Sequence, residues 1–119
     1  MAMTRLVFSL VLLAGFAFPA SALPAMIFAR DAKAHVGQEV SVRGDISGVR
    51  DGDGATYVFL DGRGRHAALT LIFYGDDAGM FPGLDTATGR SVLAEGRIQL
   101  VRGQPVMVIR RHIQLTFQD

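Results

Sequence analysis

The chain has 119 residues, with 12 Lys and Arg against 11 Asp and Glu, and it contains no cysteine. The near-neutral balance excludes a body that holds nucleic acid by net charge alone. The missing cysteines exclude disulfides, thiol catalysis and thiolate metal sites, and the length suits one domain with a modest core.

Arg5 precedes a largely apolar run from Leu6 to Phe18, and Ala20-Ser21-Ala22 closes it. This is the pattern of a secretory signal peptide, with cleavage expected after Ala22. The run is shorter than the roughly 20 residues that a membrane helix needs. No cysteine follows it, which excludes a lipoprotein anchor. The expectation is a periplasmic or secreted protein beginning at Leu23, with no transmembrane anchor after cleavage. Arg5 is the only charged residue in the segment, so what remains is formally neutral. Residues 1–22 are thus assigned to the signal, 23–36 to an N-terminal arm of short helical tendency, and 37–119 to the domain.

From Gly37 onward the pattern is strands and turns. Glu39 to Val49 predicts a first strand, with Val40, Val42 and Ile46 alternating around Gly44. Asp51-Gly52-Asp53-Gly54 marks a turn before a second strand at Thr56 to Leu60. Asp61-Gly62-Arg63-Gly64 turns again before a third strand at Ala67 to Tyr74, and residues 75–88 leave room for a short helix or loop. Ser91 to Val101 and Val106 to Phe117 complete the set, joined by Arg102-Gly103-Gln104-Pro105. The spacing of Gly37, Val40, Gly44, Ile46, Val49 and Arg50 recurs at Gly89, Val92, Gly96, Ile98, Val101 and Arg102. Two long strands, each bent at a central glycine, suit a small curled barrel.

Five strands with an insert between the third and fourth follow the order of an OB-fold. The segments "HVGQEVSVRGDI", "TYVFLDGRG" and "GRSVLAEGRIQLVRGQPVMV" resemble strand motifs of small bacterial periplasmic and nucleic-acid-binding OB-fold domains. The expected fold is therefore all-β, a five-stranded OB-fold barrel following a cleaved signal peptide. By resemblance to that motif, Tyr57 and Phe59 point inward with Leu69, Leu71 and Phe73. Val58, Leu60, Ala68, Thr70, Ile72 and Tyr74 then form an aliphatic outer face.

Enzyme chemistry finds no set of residues. Ser41, Ser47 and Ser91 sit in no G-x-S-x-G elbow, and Asp76-Asp77 are loop neighbours. Asp51-Gly52-Asp53-Gly54 begins like a calcium loop, but Ala55 takes the next ligand position and no Glu closes it. His35, His66 and His112 show no ligand spacing. Gly62 to Ala67 fits a dinucleotide-binding glycine pattern but leads into a strand rather than a helix. No catalytic residue, metal or cofactor is expected.

The OB-fold resemblance implies a groove flanked by the first-second and fourth-fifth loops, holding single-stranded nucleic acid by cations and stacking rings. The candidate residues are Arg50, Arg63, Arg65, Arg102 and Arg110 for phosphates, with Tyr74 as the stacking ring. The alternative is a module that binds a cell-envelope protein through the aliphatic face around Val58, Leu60 and Ile72. Val108 to His112 also resembles a segment of the OB-fold haem chaperone of cytochrome c maturation, which would make His112 the haem attachment point. Ile113, Gln114 and Thr116 stand where that family carries acidic and tyrosine residues, and this third reading stops there.

Overall fold

A computed structural model describes residues 24–119, so the expected signal peptide lies outside the described residues. Eight strands pair into one sheet, where five were expected. They are β1 (Ala25–Phe28), β2 (Glu39–Gly52), β3 (Ala55–Leu60), β4 (Leu69–Tyr74), β5 (Ser91–Arg97), β6 (Gln99–Val101), β7 (Gln104–Val108) and β8 (Leu115–Phe117). The order across the sheet is β6-β7-β4-β3-β2-β5-β8, with β1 parallel to β2 beside it.

The excess over five has three local causes. The expected fourth strand is broken at Ile98, a fully buried residue, so that β5 pairs with β2 while β6 pairs with β7. The expected fifth strand is interrupted after Val108 by a 3₁₀ turn at His112–Gln114, and β8 then joins β5. The arm contributes β1 and a 3₁₀ segment, Ala29–His35, whose Ala29 and Ala32 are fully buried. The arm therefore docks against the first half of β2.

β2 is the central strand and changes partner along its length. Its first half pairs with β5 (Glu39 to Asp45), and its second half pairs with β3 (Ile46 to Gly52). Gly44 makes this possible: a Cβ there would come within 3.0 Å of the Ala29 Cβ and 3.3 Å of the Leu60 side chain. Gly96 on β5 has the same role, since a Cβ would come within 3.0 Å of Met107. The core beneath the curled sheet is built from Val40, Val42, Ile46, Leu69, Leu71, Phe73, Met107 and Ile109, with Val58 and Leu60.

Between β5 and β7 the ladder is open, and the side chain of Gln114 fills the gap. Its Nε2 donates to the carbonyls of Glu95 (2.9 Å) and Val108 (3.2 Å). Its Oε1 accepts from the N–H groups of Arg110 (2.8 Å) and Arg111 (2.9 Å). One side chain thus supplies the hydrogen bonds that a continuous strand would have made there. Among the described residues no helix is long and apolar enough to cross a membrane.

Candidate functional site

The outer face of β2, β3 and β4 is set by a bulge. Ile46 pairs with Leu60 and Gly48 with Phe59, leaving Ser47 as the extra residue. An extra residue reverses the alternation beyond it. Without it Arg50 would share the inward parity of Val42 and Ile46; with it, Val49 packs on the core and Arg50 turns outward. The bulge is held by its own side chain. Ser47 Oγ donates to the Gly62 carbonyl (2.5 Å), with the Phe59 carbonyl at 3.0 Å, and accepts from the Gly62 N–H (2.9 Å).

Arg50 pairs with Tyr57 across the ladder, and its guanidinium lies 5.3 Å from the Tyr57 ring centre and 5.7 Å from that of Phe59. Both distances lie within cation–π reach. Gly48 and Gly52 flank Arg50 on the same face of β2. A Cβ at Gly52 would come within 2.9 Å of the Tyr57 ring, and one at Gly48 within 3.6 Å of the Phe59 ring. The two rings therefore rest beside bare backbone, with one guanidinium over both. Arg63 closes the group: its Nε donates to the Ser47 carbonyl (3.1 Å). Ser47, Gly48, Val49, Arg50, Phe59, Arg63 and Thr88 bound an open depression of about 420 Å³.

This arrangement corrects the expected facing of β3. Tyr57 and Phe59 were expected inside, but Tyr57 pairs with Ile72 and Phe59 with Thr70 on the outer face. Val58 and Leu60 were expected outside as a partner-binding surface, but both are fully buried and pair with Leu71 and Leu69 in the core. Of the three residues of that alternative face, only Ile72 lies outside, and it too is covered, packing with Ala55, Val106 and Tyr57. The facing of β4 is as expected, with Tyr74 exposed at its end.

The other candidate residues fall in three places. Arg65 and His66 lie in the 3₁₀ turn Gly64–His66 between β3 and β4, next to Arg63. Arg102 sits in the β6–β7 turn with a φ of 53°. Because β7 runs parallel to β4, that turn lies at the same end of the sheet as the Arg63–His66 loop. Arg110 is separated from them: with Arg111, Arg97, Glu39 and Glu95 it lines a different cleft, of about 440 Å³, beside Gly96 and Gln114. Arg110 and Arg111 were expected on the last strand, but they lie in the break between β7 and β8. His112 stacks on Phe81, with ring centres 5.3 Å apart and planes 7° from parallel. Among the described residues no three His, Asp or Glu side chains are grouped to hold a metal.

Two features of the site escaped the residue pattern: the outward rings and the bulge. A signal for the bulge was present. Val40, Val42 and Ile46 share one parity and Val49 has the other, so the apolar period already slips between Ile46 and Val49.

No family model and no curated protein matches this sequence. Solved structures do match. A Leishmania major Friedlin structure described as an aspartyl-tRNA synthetase is 13% identical over 82% of this chain, with a TM-score of 0.58. The aspartyl-tRNA synthetase of Entamoeba histolytica is 11% identical over 84% of this chain, with a TM-score of 0.52. This chain spans 21% and 28% of those two proteins. OBody AM1L10, solved bound to hen egg-white lysozyme, is 14% identical with a TM-score of 0.58, the match covering 87% of this chain and 98% of the OBody. At such identities the likeness carries the fold alone: the described part of the chain is a mostly β, OB-like domain.

Proposed function

We propose that the protein is an exported, non-enzymatic OB-fold module that binds single-stranded nucleic acid or oligonucleotide on the outer face of β2, β3 and β4. The observation that carries this reading is the Arg50 guanidinium held over Tyr57 and Phe59, with Arg63 fixed beside it. A cation beside two rings offers what a single strand presents in repetition, a phosphate and a flat base. Arg50, Arg63, Arg65 and Arg102 meet phosphates and Tyr57 stacks on a base, while Phe59, only 9% exposed, is the floor beneath Arg50. The signal-like segment supports the exported part of the reading. Two of the similar structures are synthetases named for tRNA, which accords with nucleic acid as ligand. The OBody, bound to lysozyme, keeps a protein ligand in view, but the aliphatic face first assigned to such a partner is buried here.

The test is fluorescence anisotropy of residues 23–119 with labelled single-stranded DNA and RNA, at low and near-physiological salt. Wild type is expected to bind saturably, more weakly as salt rises, because phosphate contacts release counterions. Arg50→Ala combined with Arg102→Ala should weaken binding and reduce the salt slope by about 1.4, the value for two lost contacts on a single strand. Unchanged binding by the double variant removes this site. No wild-type binding at low salt removes the function.

A further inference from the structure

The outer face carries opposite charges at its two ends. The end formed by the β3–β4 loop and the β6–β7 turn holds Arg63, Arg65, His66 and Arg102. Asp61 is also there, its carboxylate accepting the Asp45 N–H at 3.2 Å. The opposite end is formed by the β2–β3 hairpin and the start of the β4–β5 connection, tied together by the Gly75 N–H donating to the Gly54 carbonyl at 2.8 Å. It holds Asp53 in the hairpin turn and Asp76 and Asp77 just beyond Gly75. Asp51 is at this end too, but on the core side of β2 with Val49, where its carboxylate accepts the Thr56 hydroxyl. Asp85, Asp51 and Thr56 line a depression at the same end but on the other face, beside the core residues Phe81 and Leu84.

No Lys or Arg occurs in residues 51–62 or 75–89. The two ion pairs among the described residues, Arg90–Asp119 and Arg97–Glu39, involve none of these carboxylates. A six-residue strand such as β3 is about 20 Å long, and charges are screened over about 8 Å at physiological salt. Each end therefore acts on the phosphates beside it and hardly on those at the far end. Arg50 stands between the two ends and is the last cation on the face before the carboxylates.

We propose that this acidic rim is a stop for the bound strand, so that the site takes a short segment of about four nucleotides, the low end of the range for this fold. The segment runs across Tyr57, past the buried Phe59, with its phosphates at Arg102, Arg65, Arg63 and Arg50. Beyond Arg50 a further phosphate would enter a region of uncompensated carboxylates and be repelled. Tyr74, 48% exposed at the end of β4, is then left to a terminal base with no phosphate after it. The inference rests on the proposed nucleic-acid reading and adds a length limit to it.

The experiment measures affinity against length, using oligothymidylates of two to twelve nucleotides at low salt, for wild type and for two variants. One is Asp76→Asn with Asp77→Asn, outside the hairpin. The other adds Asp53→Asn, in the hairpin turn itself. Wild-type affinity is expected to level off near four nucleotides. Both variants should continue to gain to longer lengths, the three-site variant further, with at least a several-fold tighter hold on the dodecamer. Wild-type affinity rising steadily through eight nucleotides overturns the stop, as does an unchanged plateau in both variants, while nucleic-acid binding itself stands. Failure of every oligonucleotide to bind wild type overturns both readings together.

Discussion

Arg102 and Gly103 form the two-residue turn between β6 and β7 with φ values of 53° and 78°. Both positive, they match the turn type that fits the twist of paired strands and favours Asn or Gly at the first position. An L side chain in that region costs about 1–2 kcal/mol, which glycine avoids. An arginine there is consistent with a residue kept for what its guanidinium touches. Arg102→Gly is expected to raise the urea midpoint while weakening oligonucleotide binding at low salt. A lower midpoint would mean that the side chain supports the turn and is not held at a structural cost. Residues on β3 show how finely facing matters: Tyr57 and Leu60 belong to one four-residue apolar run, yet one borders the proposed ligand and the other is sealed in the core.

The elements explain which parts of this were legible in the residues. Gly44 and Gly96, read from their matched spacing as bend points, are the two places where a Cβ would strike the opposite layer at 3.0 Å. The existence of the strands from Glu39 to Leu60 and at β4 was also legible, because turn residues bound each run. The facing of β3 was not, because Tyr57-Val58-Phe59-Leu60 is apolar at every position and carries no period of two. Nor was the end of β7, where Ile113, Leu115 and Phe117 alternate as a strand would. What overrides that alternation is Gln114, whose four hydrogen bonds draw the chain into a 3₁₀ turn and close the gap between β5 and β7. Gln114→Leu leaves the Glu95 and Val108 carbonyls and two N–H groups without these partners. Each buried orphan costs about 1–3 kcal/mol, less where water reaches it. We expect a clear loss of stability in urea, of at least about 2 kcal/mol. Ile113→Ser, at a neighbouring exposed position, should stay within about 0.5 kcal/mol of wild type. Equal effects from both would remove the seam role assigned to Gln114.

At the scale of the whole molecule, a formal net charge of +1 conceals the separation of Arg63, Arg65 and Arg102 from Asp51, Asp53, Asp76 and Asp77. A near-neutral body charged in this way has a large dipole moment and little net repulsion to keep copies apart. The basic end of one molecule complements the acidic end of the next, a head-to-tail contact that does not close on itself. Light scattering at low salt is expected to show attraction between molecules, fading as ionic strength approaches about 0.15 M, where the screening length is about 8 Å. Net repulsion at low salt would contradict it. Dilute salt, which strengthens the hold on an oligonucleotide, would thus also draw the proteins together, so that ligand and neighbouring molecule compete for the same arginines.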